Sequence, residues 1–509
     1  MRLGIYSNVK RVNFLMKKVS GRIKETVPEL EVWICAVTGD TPVTEELTKQ
    51  LKKANVNIFM WMGSGIDNKF LQNSAKFLRK TNRPFLIIVD NAGDDEISHG
   101  FTAAQIETVW AYKRYDGEEN IYNLCLWLAN NFGNMATSPN PPVKQPWNGI
   151  WHPAWQGDCQ DLDAYLDRHY VAGRPTVGIL FYRAEWLTGE RTYQNALIST
   201  LEKRGFNVIG IFSNSVKDER MGSPSLQEAM EYYFYRNGER IIDVMINTMK
   251  FSLKTAGVPI EFFQQLNVPI LQAYTVLRSK QEWEKSPAGL DPVNVSISVS
   301  LPEFDGVLHT VPIAAKVSDT PGEMVYTALL DRMKLLADKA WNWAMLGHKA
   351  DREKKIAIIF HNYPSTNATI GSAAGLDSPE SVRRLLIHMK ALGYSVGDIP
   401  ADSRAFMSML TEASTNDRRF LSDEALNTRF QKLSAQEYCE FFQQLPEPVR
   451  ERMEKEWGPA PGDVFYHEGN LLIPGMFLGN VLVTVQPPRG FGEDPGKILH
   501  APDLPPSHH

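Results

Sequence analysis

The first 132 residues alternate between short apolar runs and segments with helical periodicity. The apolar runs have the length of strands and lie at residues 3–6, 30–37, 56–61 and 84–89. In the last helical segment, Ile121, Leu124, Leu128 and Phe132 fall on one stripe, which is typical of a helix packed against a sheet. This alternation predicts a parallel sheet covered by helices.

A proline-rich segment interrupts this pattern at residues 137–149. Proline fixes its own φ angle and disfavours helix at the residue before it, so the segment is expected to be extended. It contains neither helical nor strand periodicity. We therefore predict a linker and a domain boundary.

A second α/β pattern follows the linker. Apolar runs at 176–183 and 207–212 flank a helix predicted to begin with Thr188 as its N-cap and to continue to Arg204, where Gly205 ends it. The pattern also predicts three further strands and a long helix, at 241–246, 268–271, 295–299 and 321–346.

A third pattern begins with an apolar run at 354–362. A turn-rich loop follows it and leads into a helix with Ser378 as the predicted N-cap, Pro379 in the first turn and Gly393 as the stop. The next stretch, 402–457, is helical and charged, and the closing stretch is strand-like with proline turns.

These patterns together predict the fold class. We expect a multi-domain α/β protein with several parallel-sheet units of the flavodoxin or Rossmann kind, a helical segment and a β-rich closing stretch. The predicted N-terminal α/β domain, linker, second α/β domain and third region occupy residues 1–136, 137–149, 150–350 and 351–509.

Composition narrows the function classes. The net charge of −5 and the isoelectric point near 6.2 give no general attraction to nucleic acid. The four cysteines lie far apart without the CxxC spacing of metal or redox motifs, which fits reduced thiols in the cytoplasm. No apolar run approaches the ~18 residues that a membrane span needs. These features predict a cytoplasmic protein without a membrane span.

The loop at 361–375 is the first candidate site. It follows a buried strand and precedes a capped helix, so Asn362, Tyr363 and Gly371 lie where open α/β sheets bind ligands, and a carboxylate or phosphate could sit there. The loop lacks the Gly-Lys-Ser/Thr ending of a nucleotide-binding P-loop. From these residues alone, a binding loop and a plain connecting loop are equally compatible with the sequence.

A second candidate follows the strand at 176–183. Tyr182 and Arg183 lie at the end of this strand, close to Glu185. An arginine there could bind a carboxylate in bidentate fashion while an aromatic ring covers the ligand. The alternative is an exposed Arg183–Glu185 ion pair, which is common and contributes little energy.

The closing stretch contains the third candidate. Rigid turns, acids and histidines are concentrated in its fifty residues, including the segment Gln486-Pro-Pro-Arg489-Gly-Phe491-Gly. Single histidines elsewhere are more often structural than ligands. The pair His508-His509 differs because it offers two imidazoles, which suit divalent cobalt, nickel or zinc.

Several of these segments resemble one family. The resemblance is carried by Trp457-Gly-Pro-Ala-Pro-Gly462, Leu472-Ile-Pro-Gly475, Gly479-Asn480, the segment from Gln486 to Pro495, and Asp503-Leu-Pro-Pro-Ser-His-His509. In these positions the chain resembles the large subunit of cobaltochelatase, CobN, and more distantly the H subunit of magnesium chelatase. The Pro-Pro-Arg-Gly-Phe-Gly sequence is similar to the cobaltochelatase branch. The loop at 361–375, the segment around Tyr182 and the Pro-Glu-x-Asp-Gly element at 302–306 also match, although the last could equally be a structural turn.

The resemblance implies an activity and a set of site residues. The activity is insertion of Co²⁺, the substrate metal, into a cobyrinic-acid-type macrocycle, with Mg²⁺ and a porphyrin as the alternative. A further alternative is a non-catalytic protein that only carries a tetrapyrrole. The implied catalytic and metal-binding residues are His508 and His509, and the implied substrate-binding residues are Tyr182, Arg183, Asn362, Tyr363, Gly371, Gln486, Arg489 and Phe491.

The resemblance also implies partners. ATP would be hydrolysed by separate AAA+ ATPase subunits, so no ATP site is expected in this chain. The family's large subunit continues well beyond the residues matched here. We therefore expect this chain to be the N-terminal part of such a subunit, either a fragment or one half of a split subunit whose C-terminal half is a partner.

Overall fold

The structure is a computed structural model that divides into two compact units, Met1–Met345 and Leu346–His509. It describes residues 1–63, 68–90, 97–189, 191–217, 219, 222–318, 325–363, 366–413, 416–417, 422, 424, 426, 430–462, 465–487 and 508.

The first unit begins with a five-stranded sheet in the order β2-β1-β3-β4-β5, in which only β5 is antiparallel. Its strands are β1 (Arg2–Ser7), β2 (Glu31–Ala36), β3 (Val56–Met62), β4 (Phe85–Asp90) and β5 (Ile97–His99). Its helices are α1 (Lys10–Thr26), α2 (Glu45–Lys53), α3 (Lys69–Lys80), α4 (Ala103–Tyr115) and α5 (Glu118–Gly133). The predicted stripe on α5 contributes Ile121, Leu124 and Leu128 to the buried core. The parallel sheet predicted from the alternating pattern is confirmed.

The same unit contains a second sheet of seven strands in the order β14-β13-β12-β11-β7-β8-β6. The strands of this region, including the hairpin β9–β10, are β6 (Gly149–Ile150), β7 (Thr176–Tyr182), β8 (Asn207–Ser213), β9 (Tyr235–Arg236), β10 (Glu239–Arg240), β11 (Val244–Asn247), β12 (Ile270–Ser279), β13 (Leu308–Lys316) and β14 (Tyr326–Ala328). Strands β7, β8, β11, β12 and β13 are parallel. The chain moves from β7 to β8 on one side and then returns to place β11 on the other side of β7. The strand order therefore reverses between β7 and β11.

Helices cover this sheet. They are α6 (Leu162–His169), α7 (Arg183–Thr188), α8 (Thr192–Arg204), α9 (Leu226–Phe234), α10 (Ile260–Leu266), α11 (Lys280–Lys285), α12 (Pro292–Val295), α13 (Leu301–Glu303) and α14 (Leu330–His348). The helix predicted from Thr188 to Arg204 is two helices. Gly189 adopts a φ of +74° that ends α7, so Thr188 closes one helix and does not cap the next. Gly205 ends α8 as predicted.

The strand predicted at 295–299 is wrong. Asp291 accepts a hydrogen bond from the backbone of Asn294 at 3.0 Å and Pro292 occupies the first helical turn, so a helix begins here and continues through a π-helical turn, Ser296–Ser300. The buried residues are the polar Asn294 and Ser298, four apart, as in a helix.

The long helix predicted at 321–346 begins later. Residues Tyr326–Ala328 form the edge strand β14, which pairs antiparallel with β13, and α14 begins at Leu330. Pairing with the edge of β13 therefore determines the conformation of residues 326–328, although their sequence pattern favours a helix.

The second unit has two three-stranded sheets, in the orders β15-β20-β19 and β16-β18-β17. The strands are β15 (Ile356–Phe360), β16 (Gln431–Ser434), β17 (Tyr466–His467), β18 (Asn470–Ile473), β19 (Gly475–Leu478) and β20 (Val481–Val485). The helices are α15 (Ser378–Ala391), α16 (Ser403–Ala413), α17 (Ala435–Phe442) and α18 (Glu447–Trp457). Strands β15 and β20 are parallel and pack on α15 and α16.

The N-cap of α15 is Asp377, which accepts a hydrogen bond from the backbone of Glu380 at 3.0 Å. Ser378, the predicted cap, is instead the first helical residue. Aspartate and serine cap comparably well, so the sequence Asp377-Ser378-Pro379 does not distinguish them. The helix is still followed by Gly393, which has a φ of +95°.

The predicted fold class, a multi-domain α/β protein with several parallel-containing sheets, is confirmed. All four cysteines are unpaired thiols. Within the described residues, no helix has both the length and the apolar character needed to cross a bilayer.

Candidate functional site

The loop after β15 folds compactly against the end of its own strand. Asn362 is buried, forms a β-bridge with Ile370 and accepts a hydrogen bond from the Thr369 hydroxyl at 3.1 Å. The backbone N–H of Gly371 donates to the carbonyl of His361 at 2.7 Å. These bonds close a ring of backbone at the carboxyl end of β15, the end of the strand at which α/β sheets bind ligands.

Gly371 has a structural reason for being glycine. Its φ is +71°, and a Cβ atom there would lie 2.9 Å from the ring of Phe360 and 3.3 Å from Cβ of Ser378. A side chain would therefore combine backbone strain with a collision. The predicted contact between Gly371 and a macrocycle stays a prediction.

Gln486 lies beside this loop. Its backbone N–H donates to the carbonyl of Phe360 at 2.7 Å, because β20 runs parallel to β15 and ends at the same edge. The buried Asn416 donates to the carbonyl of Gln486 at 2.7 Å, and the neighbouring Asp417 accepts from the backbone of Asn367 at 3.3 Å. Two segments that sequence analysis selected independently, the Asn362 loop and Gln486, thus converge at one sheet edge.

Asn416 and Asp417 were missed by sequence analysis. Both are buried, but they lie in a charged, polar stretch in which nothing distinguishes them from solvated residues. The Oδ1 atom of Asn416 is buried and has no hydrogen-bond partner among the described residues. Sequence alone does not identify such a buried polar pair, because its partners, Gln486 and Asn367, are known only from the structure.

Three other predicted residues belong to this region. Tyr363 follows Asn362 and is partly exposed. Arg489 and Phe491 follow Gln486 in sequence but lie outside the described residues, so their predicted contacts with the macrocycle stay predictions.

His508 is a buried residue of the second unit. In the tautomer with the proton on Nε2, both ring nitrogens form hydrogen bonds. Nδ1 accepts from the Tyr438 hydroxyl at 2.9 Å, and Nε2–H donates to the carbonyl of Gly458 at 2.8 Å. Its ring also packs edge-on against Phe442, with centroids 5.1 Å apart, and its Cβ lies next to Gly462. Two segments that carry the family resemblance, 457–462 and the one ending in His508-His509, therefore meet in space.

This environment gives His508 a packing role. Both ring nitrogens are engaged, so binding a metal would require one hydrogen bond to break. In the part of the chain that the structure describes, no group of three or more histidine, cysteine, aspartate or glutamate residues could hold a metal ion. His509 lies outside the described residues. The predicted binding of the metal by His508 and His509 stays a prediction.

Arg183 is buried in the first unit and donates hydrogen bonds to backbone carbonyls of the predicted linker. Its Nε donates to the carbonyl of Pro146 at 2.7 Å, and its Nη2 to those of Tyr115 and Gln145 at 3.3 and 3.4 Å. The guanidinium carbon also lies 4.4 Å from the ring centroid of Trp147. Burial lowers the pKa of Arg183 to about 10.

The alternative of an exposed Arg183–Glu185 ion pair is wrong. The turn of α7 directs Arg183 towards the linker, while Glu185 accepts hydrogen bonds from Tyr193 and Gln194. The predicted contact of Arg183 with a macrocycle stays a prediction. The hydroxyl of Tyr182 bonds to the backbone of Lys250, accepting from its N–H at 2.8 Å and donating to its carbonyl at 3.1 Å.

The Pro-Glu-x-Asp-Gly element has a structural function in this fold. Asp305 is buried and accepts hydrogen bonds from the Ser252 hydroxyl and from the backbone N–H groups of Leu253 and Lys254, at 2.6, 2.6 and 3.2 Å. The carboxylate therefore fixes the turn after β11, as expected of a structural turn.

Comparisons with known proteins give a consistent result. A family model described as CobN/Magnesium Chelatase matches residues 110–509. An uncharacterized protein of Methanocaldococcus jannaschii is 37% identical over 91% of this chain and 39% of its own length. The aerobic cobaltochelatase subunit CobN of a Sinorhizobium species is 30% identical over 82% of this chain and 33% of its own length.

A solved structure has the same fold. The catalytic subunit of cobaltochelatase from Mycobacterium tuberculosis aligns with a TM-score of 0.65 and 24% identity, over 100% of this chain and 40% of that one. This chain thus spans no more than about two fifths of the length of these relatives.

Proposed function

Because the chain belongs to the CobN/magnesium chelatase family, we propose that it forms the tetrapyrrole-binding part of an ATP-dependent chelatase that inserts Co²⁺ into a cobyrinic-acid-type macrocycle. The convergence of the Asn362 loop with Gln486 at the ends of β15 and β20 carries this proposal. Ligands of open α/β sheets bind outside the carboxyl ends of strands, where loops supply the polar groups.

We infer cobalt and a corrin precursor, over magnesium and a porphyrin, from one feature of the sequence. The segment after Gln486 has the Pro-Pro-Arg-Gly-Phe-Gly sequence similar to the cobaltochelatase branch.

The chemistry explains why such a site needs several kinds of group. The incoming ion must lose bound water, the ring must distort, and the ring N–H protons must be accepted before four nitrogens can hold the metal. Closure of a site around a bound ring excludes water and positions these groups. We assign ring binding to this chain and ATP hydrolysis to separate AAA+ partner subunits, whose action would drive the closure.

Arg489→Lys should weaken macrocycle binding by about tenfold. A guanidinium can bind a peripheral carboxylate through two parallel hydrogen bonds, whereas an ammonium group cannot reproduce that fork. Titration of the macrocycle followed by visible absorption measures the change. Arg452→Lys, on the exposed side of α18, is the control for the substitution itself. Unchanged affinity in Arg489→Lys would mean that this arginine does not contact the ring.

The proposed function is tested in a complete assembly that contains this chain and ATP-hydrolysing subunits. We expect Co²⁺ to enter a cobyrinic-acid-type ring faster than Mg²⁺ enters a porphyrin, as measured by the change in visible absorption. The reverse preference would select the magnesium chelatase alternative. Tight ring binding without incorporation of any metal would select a non-catalytic tetrapyrrole carrier.

A further inference from the structure

The second sheet contains a cavity at the point where its strand order reverses. The cavity has a volume of about 280 Å³ and lies at the carboxyl ends of β7 and β11. Tyr182 at the end of β7, Glu185 just after it, and Thr248 and Lys250 after β11 line the cavity. Phe14 of α1 and Val9, the residue before this helix, line it as well. Such a reversal point is where doubly wound sheets bind ligands.

One wall of the cavity offers hydrogen-bond acceptors. The Oε2 atom of Glu185 accepts hydrogen bonds from the Tyr193 hydroxyl at 2.7 Å and from Nε2 of Gln194 at 2.9 Å. The Oε1 atom of Gln194 is buried and has no partner among the described residues. Buried polar atoms are nearly always paired in folded proteins, and none of the described protein groups supplies this atom with a donor.

Lys250 lines the same cavity. Burial lowers the pKa of Lys250, and nearby Lys10 and Lys316 lower it further, while Glu185 and Asp291 act in the other direction. None of the described carboxylates forms a salt bridge or hydrogen bond with the Lys250 ammonium group. The two hydrogen bonds to the Tyr182 hydroxyl fix the backbone of Lys250 at this place. A carboxylate bound beside the Lys250 side chain would favour its charged form, which burial alone disfavours.

The rest of the wall and the size of the cavity define the ligand further. Phe14, Val9 and Met62 add apolar surface to the cavity. Its volume of about 280 Å³ is just below the range of about 300–1,000 Å³ typical of sites for drug-sized ligands. These features suit a short molecule with an apolar chain.

We propose that this cavity binds a small carboxylic acid that has a hydroxyl or amino group next to its carboxylate and a short apolar chain. The carboxylate pairs with Lys250, the hydroxyl or amino group donates to Gln194 and Glu185, and the chain packs on Phe14. This site is separate from the loop at the end of β15, and the inference does not rest on the proposed chelatase function.

Four probes that share the same branched five-carbon chain test the inference on the whole chain. Leucine and 2-hydroxyisocaproate contain both polar groups, isocaproate lacks the donor, and isoamylamine lacks the carboxylate. Calorimetric titration should show that leucine or 2-hydroxyisocaproate binds at least tenfold more tightly than the last two. The ratio between leucine and 2-hydroxyisocaproate shows whether the donor is an amine or a hydroxyl.

Variants locate the binding. Lys250→Met keeps the apolar stem and should weaken binding of the better probe at least tenfold, whereas Lys203→Met, an exposed lysine on α8, should not change it. If Lys250→Met does not fold, Gln194→Leu provides the same test at the other proposed polar contact. The inference is overturned if neither complete probe binds at millimolar concentration, or if folded Lys250→Met or Gln194→Leu binds as tightly as the unaltered chain.

Discussion

Replacing His508 with alanine should lower the free energy of unfolding of the second unit by about 2–4 kcal/mol, because the change removes a buried ring and leaves two hydrogen-bonding groups without a partner. Those groups are the Tyr438 hydroxyl and the carbonyl of Gly458. Replacing His509 should change stability little. Urea unfolding of each variant measures the difference.

The two variants should also differ in function. In a complete, active assembly, we expect His509→Ala to retain macrocycle binding and to lower metal incorporation at least a hundredfold. His508→Ala should lower both only in proportion to the folded protein that remains. The reason is geometric: neighbouring side chains point in different directions in regular backbone, and His508 is directed at Tyr438 and Gly458.

Tyr438→Phe is the matched control for this pair. It removes only the hydrogen bond to Nδ1 of His508 and should cost about 1 kcal/mol. A larger loss would show that the hydroxyl has a further role. If both histidine variants keep the full rate of metal incorporation, neither residue is a ligand, and the metal site must be sought among the acids of the closing stretch or in the C-terminal half that the family resemblance implies.

The strands of the parallel sheets could be predicted because they are buried on both faces. All residues of β8 are buried and so are nearly all of β7, so each reads as a continuous apolar run. The ends of helices could also be predicted where the backbone requires glycine, as at Gly205 and Gly393, which both have a positive φ. Apolar runs and helix-ending glycines are local features, so a short stretch of sequence is enough to recognise them.

Predictions failed where two local signals competed. At 295–299 the alternation of valine and isoleucine with serine imitates a strand, yet a capping aspartate and a proline a few residues earlier start a helix. At Thr188 a good capping residue is overruled by Gly189, which ends the preceding helix first. The choice between such signals depends on neighbours in space.

The candidate sites show the same limit. Arg183 has a sequence context that suits ligand binding, but its hydrogen-bond acceptors are backbone carbonyls of the linker, some forty residues away, and of Tyr115 in α4. The cavity at the reversal of the second sheet joins Glu185, Gln194 and Lys250 from three elements. No spacing in the sequence relates these residues, so only the strand order brings them together.

Gly479→Ala should destabilise the second unit by about 3 kcal/mol or more. Gly479 has a φ of +63° in the two-residue turn between β19 and β20, and a Cβ atom would lie 2.6 Å from the carbonyl oxygen of Ser395 and 3.0 Å from the backbone nitrogen of Gly397. The left-handed conformation alone costs about 1–2 kcal/mol for a residue with a side chain. The remainder comes from a collision with backbone, which cannot rotate away as a side chain can.

Gly393→Ala separates these two contributions. Gly393 also has a positive φ, +95°, but a Cβ atom there would meet nothing within 4 Å, so only the conformational cost of about 1–2 kcal/mol applies. Hydrogen exchange should show faster opening of β19 and β20 in Gly479→Ala than in Gly393→Ala. Because β20 positions Gln486 beside the Asn362 loop, Gly479→Ala should also weaken macrocycle binding more than its control does. Equal losses of stability in the two variants would mean that the backbone around Ser395 yields to the added methyl group, and that this part of the family resemblance reflects turn conformation alone.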